Sequence, residues 1–382
     1  MSIAVELGPV LCVVGARPNF MKMAPILRAL GTQLGCPKVL LVHTGQHYDR
    51  DMSDKLFDDL QLPRPDINLD VGSGTHAVQT AEVMKRFEPV CDAQRPSCVV
   101  VVGDVNSTLA CTLVAVKKGI PVVHVEAGLR SNDRRMPEEI NRVLTDQVAD
   151  RLYTTERSAA DNLLREGVDA SRICFAGNVM IDSLVHHRAR ATLPGSTLQA
   201  HGFDPALIAG GYGVVTLHRP SNVDQPETLG PLIDTLAGVA AELPLVFALH
   251  PRTRANLERF GLMPRVDAAR MLLLPPQGYL EMLGLMAGAT VVLTDSGGLQ
   301  EETTALGVPC LTLRENTERP ITVDQGTNTL VGRDHGAITA VVAAIRRGGG
   351  KRGRTPEYWD GQAADRIAAD LLTWLRSGTV SA

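Results

Sequence analysis

Three carboxylates and one glycine turn are the residues whose types and spacing suggest chemistry. Asp104 follows a run of four valines and a glycine, Glu126 follows a second apolar run, and Glu138 and Arg142 stand four apart behind Pro137. An acid at the carboxyl end of a buried strand can exchange protons with a ligand lying over the sheet edge. Asp104 serves equally well as a structural cap, and Glu138–Arg142 as a surface ion pair. Farther on, the apolar run 291–293 leads into Asp295, Ser296, Gly297 and Gly298, and then into a helical stretch carrying Glu301 and Glu302. Strand, glycine turn and helix together hold anions, because unpaired N–H groups and the dipole face outward and glycine lets a phosphate approach. A carboxylate there can accept from two sugar hydroxyls. The same segment also reads as an ordinary turn whose glutamates complement the dipole.

These residues need a scaffold that brings strand ends together. Apolar runs at 10–14, 39–43, 98–102 and 121–125 alternate with helical segments, and the rhythm restarts at 213–217, 245–249, 271–274, 290–293 and 309–313. That alternation predicts α/β architecture: two Rossmann-like, doubly wound domains with an interdomain cleft. The expected boundaries are 1–176, carrying the acid–base carboxylates, and 177–356, binding the nucleotide. A closing segment, 357–382, is expected to form an amphipathic helix that packs back across the first domain. Ligands bind at the carboxyl ends of such strands. The first turn offers Arg17 and Lys22, the loop after 213–217 offers His218 and Arg219, and 250–252 adds His250 and Arg252. Ser107 or Thr108 is expected to cap the helix after Asp104. Asp104 and Glu126, on neighbouring strands, are expected to repel and so set protonation states. Tyr279 sits in a proline-rich turn suited to lining a nucleobase through its backbone, and Arg314 and Arg319 lie near the same mouth. His43 and His47 read as polar loop residues rather than a metal pair.

Composition narrows the function further. The chain has 382 residues, 44% hydrophobic and 21% charged, with a net charge of −4, which suits a globular protein of two domains and disfavours nucleic acid as a partner. The basic stretch 346–354 reads as a solvated loop. No apolar run approaches the ~18 residues of a membrane span, and the start lacks a secretory leader pattern. Seven cysteines without a CxxC pair predict buried thiols, a reducing compartment, and hence the cytoplasm. No clustered zinc ligands are evident.

Taken in order, ARP…K, TGQHYD, GD, HVEAGLR, PEEINR, HRPSNVD, TDSGGLQEE and TERP resemble the motifs of the non-hydrolysing UDP-N-acetylglucosamine 2-epimerases over nearly the whole chain. The resemblance implies a glycosyltransferase-B-like fold, a homodimer, and interconversion of UDP-GlcNAc and UDP-ManNAc without NAD, metal or other cofactor. It also implies a role in supplying ManNAc-type sugars for surface polysaccharide. By that resemblance Arg17, Ser296, Gly297 and Gly298 match diphosphate-binding positions, and Glu302 matches the ribose contact. Asp104, Glu126 and Glu138 match the acid–base carboxylates, while Lys22, Arg142, His218 and Arg319 match further active-site positions. The chain departs from the family at Asn19, where glutamate is more usual, and at Pro220 and Ser221, which replace a charged pair. Alternatives are a hydrolysing epimerase releasing ManNAc and UDP, a glycosyltransferase of the same fold, and a non-catalytic nucleotide-sugar-binding protein.

Overall fold

The computed structural model describes residues 7–45 and 57–377, apart from the side chain of Arg17. His47 and the rest of the TGQHYD motif beyond Gly45 therefore lie outside the described residues. The chain divides into two compact units, one comprising Met1–His186 with Glu357–Ala382 and the other His187–Pro356.

The first unit is built on a parallel sheet of seven strands: β1 (Val10–Val14), β2 (Val39–His43), β3 (Ile67–Asn68), β4 (Cys98–Val102), β5 (Val122–Ala127), β6 (Arg151–Thr154) and β7 (Ile173–Phe175). Their order is β3-β2-β1-β4-β5-β6-β7. Chain order reverses direction between β1 and β4, so the crevice at their carboxyl ends is where this topology binds ligands. Every residue of β1 and β4 is buried, which is why both read as unbroken apolar runs rather than alternating ones. The helices Arg17–Thr32 and Asn106–Lys117 start directly after those two strands.

The second unit holds β8 (Gly213–Thr216), β9 (Leu245–Ala248), β10 (Met271–Leu274), β11 (Val291–Thr294), β12 (Cys310–Thr312) and β13 (Asn328–Leu330). The parallel order β10-β9-β8-β11-β12-β13 puts its switch point between β8 and β11. His218 and Asp295 follow those two strands. The expectation of two doubly wound parallel sheets is met.

The last helix, Ala363–Arg376, starts later than the sequence suggests and packs on Arg17–Thr32 within the first unit. Its first N–H groups, at Ala363 and Ala364, donate to the carboxylate of Asp182 at 3.2 and 2.6 Å. Burial pushes the Asp182 carboxyl up to about 6, although these two backbone donors oppose the rise. A raised carboxyl holds its proton longer in the folded chain than in the unfolded one. This group's contribution to stability therefore falls as pH rises from about 4 to about 6, by about 3 kcal/mol over roughly two units. Asp182→Asn is expected to flatten that part of the profile, measured by denaturant unfolding across the range. An unchanged slope would count against the assignment.

Among the described residues no helix is long and apolar enough to cross a membrane, and all seven cysteines are free thiols.

Candidate active site

In the first unit the sheet topology brings Lys22, Asp104, Glu126 and Arg142 to the carboxyl ends of β1, β4 and β5. Glu126 is the extra residue of a β-bulge: Val125 pairs with Tyr153 and Ala127 with Thr154, leaving Glu126 unmatched at φ 72°. A bulge residue in the left-handed region turns its side chain out of the strand's alternation, a device common beside active sites. Its Oε1 accepts from Lys22 Nζ at 2.6 Å, and both residues are buried. Gly103 has φ 65°, and a Cβ there would lie 2.8 Å from the Lys22 ammonium. Glycine is thus required both by the turn and by the ion pair beside it.

Asp104 is paired separately. Its Oδ2 accepts from Arg142 Nη2 at 2.7 Å and Nε at 3.1 Å. The expected repulsion between Asp104 and Glu126 is therefore offset, because each acid has its own cation. Arg142 is in turn supported by Glu139. Glu139 also accepts from the N–H groups of Ser131 and Asn132, each at 2.9 Å, so one carboxylate fixes both the loop and the guanidinium. Glu138 lies half-buried one residue earlier, in the first turn after Pro137. Sequence spacing points to Glu138; the i,i+3 spacing from Glu139 to Arg142 carries the same signal.

Two local expectations change. The helix after Asp104 begins at Asn106 with Val105 at its N-cap and no side-chain cap. Ser107 instead shares a 2.6 Å hydrogen bond with Thr44, and Thr108 donates to Val102 O at 3.0 Å. The hydroxyls tie the first turn of this helix to the ends of β2 and β4 rather than capping it. Asn19, where the family more often has glutamate, accepts from the N–H groups of Gly15 and Ala16 at 3.1 Å each and donates to Val102 O at 3.0 Å. It braces the turn after β1 against β4, a task that needs both a donor and an acceptor.

In the second unit the organising group is Asp295, fully buried at the end of β11. It accepts from the N–H groups of His218 (3.1 Å) and Arg219 (2.9 Å) and from Asn222 Nδ2 (3.1 Å), and it pairs with His218 Nδ1 at 2.9 Å. Burial raises its pKa, but the His218 hydrogen bond and charge, with the Arg219 N–H and Asn222, outweigh that and hold it below the usual carboxylate range. Asp295 thus joins the ends of β8 and β11 across the switch point. With His218 Nδ1 committed to Asp295, Nε2 is the ring nitrogen left for a ligand.

The helix Gly297–Leu306 has Ser296 at its N-cap without a side-chain hydrogen bond to the helix, an arrangement that leaves first-turn N–H groups for an anion. A Cβ on Gly297 would stand 2.6 Å from Arg319 Nη1 and 2.7 Å from Glu318 Oε1. Arg319 is held between Glu318 (2.7 Å) and Glu301 (3.0 Å), and Arg314 reaches Glu318 at 3.0 Å. Arg319 and Glu318 therefore pack directly against the start of this helix. Glu302 is buried beside Tyr279. Burial and then the Glu302 charge and hydrogen bond push the Tyr279 hydroxyl well up. Tyr279 starts a helix and is itself buried, with its hydroxyl against the Glu302 carboxylate. Gly298 follows Gly297 in the same first turn. Among the described residues no group of three His, Cys, Asp or Glu side chains could hold a metal ion.

Comparison with known proteins converges on one family. Residues 36–372 match the family described as UDP-N-acetylglucosamine 2-epimerase. A UDP-N-acetylglucosamine 2-epimerase of Methanocaldococcus jannaschii is 40% identical, covering 95% of this chain and 98% of that protein. A UDP-2,3-diacetamido-2,3-dideoxy-D-glucuronate 2-epimerase of Pseudomonas aeruginosa is 42% identical over 95% and 99% of the two chains. The crystal structure of the Methanocaldococcus jannaschii UDP-GlcNAc 2-epimerase in complex with UDP-GlcNAc and UDP superposes with a TM-score of 0.86. It is 38% identical and covers 96% of this chain and 99% of that one.

Proposed function

The chain belongs to the UDP-N-acetylglucosamine 2-epimerase family and is an epimerase of UDP-GlcNAc, and on that premise we propose that it works by elimination and re-addition of UDP without hydrolysis. The carbon-2 proton of the sugar has no adjacent carbonyl, so direct deprotonation is too slow. A carboxylate takes that proton while the carbon-1–oxygen bond breaks and UDP departs with the electron pair, leaving a glycal. UDP then re-adds at carbon 1 as a proton is delivered to the opposite face of carbon 2, giving UDP-ManNAc.

The observation that carries this reading is the separate pairing of two acids, Asp104 with Arg142 and Glu126 with Lys22, at adjacent strand ends. Asp104, Glu126 and Glu138 supply the general acid and base. Arg17, His218, Arg319 and the Ser296–Gly297–Gly298 helix start hold the diphosphate and stabilise the departing charge. Glu302, oriented by Tyr279, takes the ribose hydroxyls. The first domain does the acid–base work and the second binds UDP. Seven free thiols support the cytoplasm as the compartment.

Incubation with UDP-GlcNAc is expected to yield UDP-ManNAc as the main product. Free ManNAc with UDP as the main products would assign the chain to the hydrolysing alternative, and sugar transfer to an added acceptor would assign it to the transferases.

The active protein is a homodimer in this reading. Support comes from Ile140 and Leu144, 44% and 46% exposed on the helix Pro137–Val148. Ile140 also lines an apolar groove of about 410 Å³ with Ala77, Ala81 and Met84. The Ile140→Glu, Leu144→Glu double variant is expected to sediment as a monomer. A dimer that persists would rule out this face.

A further inference from the structure

The peptide carbonyls leading to Asp104 are held one after another. Asn19 Nδ2 donates to Val102 O at 3.0 Å, His124 Nε2 stands 2.8 Å from Gly103 O, and Asn141 Nδ2 donates to Asp104 O at 2.9 Å. These donors come from the helix Arg17–Thr32, from β5 and from the helix Pro137–Val148. Two of them are neutral amides. The third belongs to a fully buried imidazole.

A carbonyl oxygen only accepts, so His124 Nε2 carries a hydrogen. Its Nδ1 lies 2.6 Å from Oδ1 of Asp146. The Asp146 carboxylate also meets Arg130 Nη1 at 2.7 Å and accepts from Gly128 N at 3.0 Å. Burial raises the Asp146 pKa, but the charges and hydrogen bonds of His124 and Arg130 outweigh it and leave the group below its ordinary value. Arg130 is in turn paired with Glu166 at 2.6 Å.

We propose that His124 is a positioning residue, a ring that fixes the ends of β4 and β5 together and so sets Asp104 relative to Glu126. The His124–Asp146 pair reaches both strands. His124 grips the carbonyl immediately before Asp104, and Asp146 grips the N–H two residues beyond Glu126. Both gripped residues are glycines at positive φ, 65° at Gly103 and 80° at Gly128, a conformation with little local restraint of its own. The inference rests on the reading of Asp104 and Glu126 as the acid–base carboxylates, and its test is separable from theirs.

The test uses the full-length protein with histidine labelled with ¹⁵N, the His124 signals being identified by their loss in His124→Gln. Nε2 is expected to carry a hydrogen, as a donor to the Gly103 carbonyl must. A His124 Nε2 without a hydrogen would overturn the proposal. Kinetics supply the second arm. His124→Leu removes the donor to Gly103 and is expected to lower kcat by up to about 10²-fold, the cost of a misplaced catalytic group, with KM unchanged. His124→Gln retains a donor and is expected to recover most of that loss. Full kcat in His124→Leu would overturn the proposal. Should His124→Leu fail to fold, the ring signals and the glutamine variant decide. If Asp104→Asn and Glu126→Gln keep turnover, the acid–base reading fails whatever the imidazole does. If both lose turnover while His124→Leu does not, only this inference fails.

Discussion

Asp104→Asn and Glu126→Gln are each expected to lower kcat by about 10²–10⁴-fold, the usual worth of a general acid or base, while UDP affinity stays unchanged. Both substitutions keep the shape of the side chain and its carbonyl oxygen, so Arg142 and Lys22 retain an acceptor at the positions where they now lie 2.7 and 2.6 Å from the carboxylates. What disappears is the capacity to take and return a proton. The diphosphate contacts assigned to the second unit are untouched, which is why binding and turnover should separate. Denaturant unfolding is the necessary control, because Lys22 and Glu126 are both buried and an uncompensated buried charge costs about 3–5 kcal/mol. Undiminished epimerisation in both variants would remove these two residues from the chemistry.

Asp295→Ala is expected to have the largest effect outside the acid–base group, on both folding and nucleotide binding. It would leave the N–H groups of His218 and Arg219 and the amide of Asn222 without their shared acceptor, and His218 Nδ1 without its partner. Removing one side of a buried charged pair costs about 3–5 kcal/mol. The ends of β8 and β11 would then lose the group that aligns them, and each 1.4 kcal/mol of lost binding energy is about a tenfold rise in Kd. UDP affinity is expected to fall at least about tenfold in the fraction that remains folded. Asp295→Asn, which keeps an acceptor but not the charge, should fall between the two proteins. A variant with wild-type stability and wild-type UDP affinity would show that Asp295 organises nothing.

Much of this molecule is legible in its residues taken in order, and what is missed has more than one physical cause. Strands such as β4 and β11 are recognisable because a strand buried on both faces must be apolar throughout. The acids at their ends stand out because a parallel sheet presents those ends to ligands. The edge strands β7 and β13 are only partly buried and so carry too little apolar pattern to be found by periodicity. Partnerships are harder still. Asn19 meets Val102 across 83 residues of chain, and Asp295 meets His218 across 77; both follow from strand order, which no local pattern states. For the same reason Asn19 reads as a departure from a family motif, whereas it is a brace. Glu139 is a different kind of miss. It is adjacent to Glu138, and only the path of the loop at Ser131 and Asn132 decides which of the two turns inward. Glu126 is found by type and position, but the bulge that turns it toward Lys22 is visible only in the backbone.

The reversible elimination at the centre of this account predicts one isotopic result. Incubating the protein with UDP-GlcNAc in deuterated water should give UDP-ManNAc carrying deuterium at carbon 2, with label also appearing at carbon 2 of recovered UDP-GlcNAc. A UDP-ManNAc product that retains its original hydrogen at carbon 2, or carbon-2 label with no UDP-sugar surviving, would contradict it.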